Sequence, residues 1–334
     1  MKTYIPENYK TDMSLYDTQS AISLIKKIFE EKLAETLNLK RVSAPLFVEK
    51  DSGLNDDLDG KSKAVDFSIP NINKQGVVVH SLAKWKRMAL YKYNFHVGNG
   101  LYTDMNAIRK DEQLDNIHSI YVDQWDWEKV INKEDRNLEY LFSTVKKIHE
   151  VIIDTATELR KKYPSINNKI EKELFIISSS DLIDMYPDLD NKQREYEIVK
   201  KYKSVFIYGI GGRLKDGHPH DARSSDYDDW NLNGDLLYYD ELLDIALELS
   251  SMGIRVDKYS LSKQLKEANE EYKMKYLYHK MILNDELPLT IGGGIGESRL
   301  CMLLMNKAHI GEVQSSIWDE ETLKLAKEKN VTIL

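Results

Sequence analysis

Five stretches of this chain hold residue types that could do chemistry. Gly292-Gly293-Gly294-Ile295-Gly296 is followed by Arg299, one helical turn on. Glycines let a backbone approach a ligand closely, and an arginine there can meet a phosphate or stack on a base. No G-K-[ST] follows, so the cluster is not a P-loop. A second cluster, Gly209-Ile210-Gly211-Gly212, has Leu214 where a dinucleotide fingerprint needs its third glycine, so a tight turn is an equal reading. Tyr121-Val122-Asp123-Gln124-Trp125-Asp126-Trp127-Glu128 reads as a strand. Its period of two puts Val122, Gln124, Asp126 and Glu128 on one face and Tyr121, Asp123, Trp125 and Trp127 on the other. Such a face suits recognition of an amino acid's ammonium by a carboxylate. Residues 216–229 carry His218, His220, Asp221, Asp226, Asp228 and Asp229 without a fixed metal-ligand spacing, which favours an acidic loop lining a polar cavity over a zinc site. The single cysteine, Cys301, lies in the apolar run Leu300-Cys301-Met302-Leu303-Leu304-Met305 and reads as core rather than as a nucleophile.

The elements that must position these residues follow from periodicity. Residues 20–39 carry Ile22, Ile25, Phe29 and Leu33 at helical spacing. The run 40–48 reads as a strand, and Pro45 inside it confines that strand to an edge or a dimer boundary. A long helix is predicted over 136–162 and ended by Pro164. Strands are predicted at 174–177, 204–210, 236–239 and 247–256, with helices at 189–203, 258–283 and after Gly296. The order predicts an α+β fold with a mixed, mostly antiparallel sheet flanked by helices, in one domain spanning 1–334.

Composition narrows the class. The chain has 334 residues, 42% hydrophobic and 31% charged, enough for a sizeable core. Its net charge of −8 and the lack of a basic run argue against a nucleic-acid partner. No apolar run approaches the ~20 residues of a bilayer span, and Met1-Lys2-Thr3-Tyr4 opens no signal peptide, so a cytoplasmic protein is expected.

Taken as a set, these motifs resemble the ammonia-dependent, AMP-forming asparagine synthetase family, whose catalytic core is similar to class II aminoacyl-tRNA synthetases of the aspartyl type. The helix at 20–39 with the Pro45 strand resembles the first class II motif, which implies a homodimer. Ala107-Ile108-Arg109-Lys110-Asp111-Glu112 with the strand through Asp126 resembles the second, and Gly292 to Arg299 the third. The stretches from His80 to Arg87 and from Glu248 to Arg255 also match the family closely, and the resemblance implies no separate anticodon-binding domain before the first motif. The implied reaction joins L-aspartate and ammonia at the expense of ATP, through a β-aspartyl adenylate, giving L-asparagine, AMP and pyrophosphate. The resemblance implies that Arg109 and Arg299 hold the nucleotide phosphates, with Glu112, Val122 and Gly294 also at the nucleotide, and that Glu248 and Asp235 bind it with Mg²⁺. It implies Ser81, Lys84, Gln124, Asp126, Ser251 and Arg255 for aspartate, and Asp228 or Asp51 as the group that deprotonates ammonium. Two departures from the family pattern stand out: Lys50-Asp51-Ser52-Gly53, and Glu297 in place of glutamine. Without a reactive thiol there is no glutaminase half, so free ammonia is the expected nitrogen donor. The alternatives are an aspartyl- or asparaginyl-tRNA synthetase-like core and a catalytically inactive regulatory paralogue.

Overall fold

The computed structural model describes residues 2–11, 13–56, 58 and 62–334. Ser14 caps the first helix, its hydroxyl accepting the Asp17 N–H, and opens α1 (Leu15–Leu37). This is one turn earlier than the apolar spacing alone predicts, because the cap lies ahead of the first apolar contact. Two short strands follow, β1 (Leu39–Arg41) and β2 (Phe47–Glu49). The single strand expected over 40–48 is therefore two, split at Pro45, which has no N–H to extend a ladder. Next come β3 (Asp66–Ile69), β4 (Lys74–Val78), α2 (Ala83–Lys92), β5 (Gly100–Ile108) and β6 (Tyr121–Val130). The long amphipathic helix α3 (Leu138–Lys162) is capped by the Asn137 side chain. Beyond it lie β7 (Phe175–Ser178), α4 (Ser179–Met185), α5 (Asn191–Tyr202), β8 (Ser204–Tyr208), β9 (Asp228–Asp240) and β10 (Ile245–Arg255). The helical stretch expected over 258–283 is broken into α6 (Lys258–Glu267) and α7 (Leu277–Leu283), separated by a 3₁₀ turn at Glu271–Lys275. The chain closes with β11 (Thr290–Gly296), α8 (Glu297–Leu304) and α9 (Glu320–Glu328).

Eight strands form one sheet in the order β1-β5-β6-β11-β10-β9-β8-β7. All its ladders are antiparallel except the two outermost, β1 with β5 and β7 with β8. β1 is an edge strand, as the proline predicted. A smaller sheet, β2-β4-β3, stands apart. One face of the large sheet is covered by α1 and α3. Phe29 of α1 meets Trp125 of β6 with ring centroids 4.5 Å apart, and Trp125, Trp127, Leu33, Leu141 and Ile148 are fully buried there. Each such side chain contributes about 1.5–3 kcal/mol by leaving water. The Trp face of the 121–128 strand is thus core, which leaves the Gln124–Asp126 face for another purpose. No helix among the described residues is long and apolar enough to cross a membrane.

Candidate active site

On the opposite face of the sheet lies a cavity of ≈ 400 Å³. That volume is within the range of ordinary small-molecule sites. Its floor is β11, a strand of glycines in the middle of the sheet. A Cβ on Gly294 would lie 2.7 Å from Asp126 Oδ1 and closer still to Gln124 Oε1. The third motif is glycine-rich because neighbouring strands aim polar side chains across it.

At one end of the cavity stand two guanidinium groups. Arg109 follows β5, and Arg299 sits in the first turn of α8. Arg299 donates to two main-chain carbonyls, 2.9 Å to Glu248 and 3.3 Å to Ile117, so its orientation is set by the fold. Burial and, less strongly, the Arg109 charge push the Arg299 pKa down. Arg109 Nε is buried with no hydrogen-bond partner among the described residues. Two cations held together in one wall, one with an unspent donor, call for a polyanion. Glu112, Val122 and Gly294 also line the cavity. Four consecutive residues of β10, Glu248 to Ser251, all reach the cavity. The register shift between Glu248 and Ser250 makes this possible, since a bulge re-aims side chains that would otherwise alternate.

The other end is built from α2, β6 and β10. Ser81 and Lys86 enter from the start of α2, and Gln124 and Asp126 from β6. Asp126 Oδ2 accepts the Leu82 N–H at 3.3 Å and lies 3.3 Å from Lys86 Nζ. Lys86 also donates to the Gly293 carbonyl at 3.0 Å, and burial pushes its pKa down. Arg255 is held from behind by Glu128, which is fully buried and accepts from Nε at 3.2 Å and Nη2 at 3.1 Å. Thr290 Oγ1 donates to the remaining Glu128 oxygen at 2.7 Å. Arg255 Nη1 pairs with Asp228. Burial opposes the Arg255 charge, but Asp228 and Glu128 outweigh it and raise the pKa. A fixed cation with donors to spare is a carboxylate anchor.

Most of the predicted site residues therefore converge on one cavity, and three do not. Lys84 is buried and turned away, with Nζ 2.9 Å from Asp226; the helix puts Lys86, two residues on, at the cavity instead. Asp51 is exposed on the 3₁₀ turn Lys50–Ser52 and lines no part of the cavity. Asp56, 3% exposed, takes that place. Its loop is pinned by His80, whose ring lies 3.2 Å from the Asp56 carbonyl and whose N–H donates 2.8 Å to Asn55 Oδ1. Asp235 lies behind the wall rather than in it, paired with Arg223, a lining residue that sequence reasoning missed.

As expected of an acidic loop beside a polar cavity, Asp221, Arg223, Ser224, Tyr227 and Asp228 line it. His220 turns away to Glu195, 3.0 Å distant. Burial, with the Asp56 and Asp228 charges, holds the Tyr227 phenol protonated. Burial, opposed by Arg255, raises the Asp228 pKa. Gly209 and Gly211, both at positive φ, lie in an irregular bend after β8 outside the cavity. The other departure, Glu297, is buried behind the phosphate end with Lys26 2.7 Å away; burial and Asp123 push its pKa up to about 7. Cys301 is fully buried in the core, and burial pushes its thiol up, away from the nucleophilic thiolate.

The wall that carries the guanidiniums also holds a carboxylate, Glu248, and behind it Asp235 has Oδ1 buried with no hydrogen-bond partner among the described residues. Burial and the Glu248 charge raise the Asp235 pKa. Carboxylates beside an anion-binding wall are the donors that Mg²⁺ prefers.

The aspartate-ammonia ligase family model matches residues 16–330. An aspartate–ammonia ligase from Clostridium tetani is 56% identical over 99% of this chain and 97% of its own, and one from Bacillus cytotoxicus is 52% identical over 97% and 99%. Among solved structures, asparaginyl-tRNA synthetase of Pyrococcus horikoshii complexed with asparaginyl-adenylate aligns with TM-score 0.65 at 15% identity, covering 89% of this chain and 68% of that one. The Entamoeba histolytica asparaginyl-tRNA synthetase complex aligns with TM-score 0.65 at 12% identity, covering 92% and 71%. The fold is that of the class II aminoacyl-tRNA synthetases. With a glycine floor and paired guanidiniums on that fold, and with this sequence likeness along almost its whole length, the chain belongs to the aspartate–ammonia ligase family.

Proposed function

We propose that this cavity converts L-aspartate, ATP and ammonia to L-asparagine, AMP and pyrophosphate through a β-aspartyl adenylate. The observation that carries the reading is the convergence of Arg109, Arg299 and Glu248 at one end of a cavity whose other end holds Lys86, Gln124, Asp126 and Arg255. In the first step a β-carboxylate oxygen bonds to the α-phosphorus and the bond to pyrophosphate breaks. Two anions meet there, and Arg109 and Arg299 offset their repulsion. Losing such a clamp commonly costs ~10²–10³-fold in rate. Glu248, with Asp235 behind it, would hold Mg²⁺, which supplies further neutralisation of the phosphates.

At the other end Asp126 takes the aspartate ammonium, Lys86 and Arg255 the α-carboxylate, and Ser81, Gln124 and Ser251 add hydrogen bonds. In the second step the ammonia nitrogen attacks the acyl carbon, AMP leaves, and a proton passes to a carboxylate. We assign that role to Asp56, because Arg255 already engages Asp228. We read residues 1–334 as one catalytic unit, working in the cytoplasm without nucleic acid. A homodimer built on α1 is supported by the exposed Leu15 and Tyr16 at its start and by exposed Leu46 and Phe47.

The test is ¹⁸O transfer from β-carboxyl-labelled aspartate to AMP, with aspartate-dependent ATP–pyrophosphate exchange in the absence of ammonia. Formation of ADP, or unlabelled AMP, would refute the adenylate. Asparagine formation from glutamine with ammonia enzymatically removed would refute the nitrogen donor.

A further inference from the structure

Behind the aspartate end lies a buried ionic cluster that the reaction does not touch. Asp226 is fully buried, two residues before Asp228 and next to Tyr227, both of which line the cavity. Its side chain points the other way. Oδ2 lies 2.9 Å from Lys84 Nζ on α2, 3.0 Å from His279 Nε2 on α7 and 3.9 Å from Lys273 Nζ on the 3₁₀ turn. Oδ1 accepts the Ser224 hydroxyl at 2.7 Å. Gln264 of α6 grips the same loop, donating to the Ser225 carbonyl at 3.1 Å and the Asp228 carbonyl at 2.9 Å. Burying an ion cluster so completely is costly, and replacing such clusters by apolar packing is often neutral for stability, so fold stability alone gives no reason for it.

Its connections give one. Lys84 stands two residues from Lys86 on α2, and Asp226 two residues from Asp228, which holds Arg255. The Lys84–Asp226 pair therefore ties together the two walls that carry Lys86 and Arg255. We propose that Lys84, Asp226 and His279 are positioning residues that fix the spacing between those walls, and so the fit of the four-carbon dicarboxylic amino acid. This rests on the assignment of that end of the cavity to aspartate.

The test is a pair of neutralising substitutions, Asp226→Asn alone and Lys84→Met with Asp226→Asn, each assayed by ATP–pyrophosphate exchange with urea denaturation in parallel. The single change leaves Lys84 short of its counter-charge and lowers stability; the double change restores the charge balance. If spacing is set here, both raise the aspartate KM ~10–100-fold while the ATP KM stays within about threefold, and restored stability does not restore the aspartate KM. An aspartate KM that returns to the wild-type value in the double variant, or ATP and aspartate KM values rising together, overturns the proposal. His279→Gln keeps the formal charges and carries the same test should the double variant fail to fold; an unchanged aspartate KM there counts against it. Gln124→Ala separates the two levels. A raised aspartate KM in Gln124→Ala with none in the double variant sinks the positioning role alone, whereas no effect of Gln124→Ala sinks the aspartate assignment beneath it.

Discussion

Replacing Gly294 with alanine adds one methyl group to the cavity floor and makes a sharp test of the site. The new Cβ would stand 2.7 Å from Asp126 Oδ1, about 0.7 Å inside the 3.4 Å at which ordinary contact begins, and would overlap Gln124 Oε1 more severely. The backbone cannot retreat. Gly294 is in register with Ser251 on one side and Asp126 on the other, and its carbonyl accepts the Ser250 hydroxyl at 2.9 Å. The two side chains must move instead, and they are the ones assigned to aspartate. A displacement near 1 Å at a reacting centre can cost ~10²-fold in rate, while overpacking typically costs about 1–3 kcal/mol of stability. Gly294→Ala should therefore lower aspartate-dependent ATP–pyrophosphate exchange ~10²-fold and leave a folded protein with a modestly reduced urea midpoint. The control is Gly212→Ala, where a Cβ meets nothing within 4 Å. That variant should match the wild type in both measurements. Exchange within about threefold of wild type in Gly294→Ala would refute the assignment of Gln124 and Asp126 to the substrate.

Further outcomes follow from the same geometry. Arg299→Ala should reduce exchange at least ~10²-fold with an unchanged far-UV spectrum, because its hydrogen bonds among the described residues go to two main-chain carbonyls. Cys301→Ala should leave ammonia-dependent turnover within about twofold, and the native thiol should resist a thiol reagent until the protein unfolds. Glu297 predicts a pH effect. Its folded pKa of about 7 lies above the ordinary 4.5, so the folded state keeps that proton longer than the unfolded chain does. This contribution to stability is present below about pH 4.5 and lost as pH rises to about 7. Glu297→Gln cannot titrate, so its urea midpoint should gain on the wild type between pH 5 and pH 8. A constant difference across that range would show that burial does not govern this carboxyl.

Much of the molecule was legible in the chain. The Tyr121–Glu128 alternation separated a core face with two tryptophans from a polar face with Gln124 and Asp126, because a strand's period of two is a local property. The glycine run followed by Arg299 marked a cavity floor and a guanidinium beside it for the same reason. What could not be read was the aim of residues whose position depends on distant partners. Lys84 and Lys86 are two apart on one helix and chemically alike, and which one reaches the cavity is set by Asp226 from a loop 142 positions away. Asp51 and Asp56 are both loop carboxylates, and contacts with the His80 region turn the second one inward. Asp235 is set behind the cavity wall by its pairing with Arg223, a contact that no local pattern announces. Sequence periodicity and motif spacing thus determine which strand or helix carries each group and what chemistry the set can do. Only tertiary packing decides which of two similar side chains is desolvated and aimed at the substrate, since that choice rests on long-range ion pairs and on the room that neighbouring strands leave.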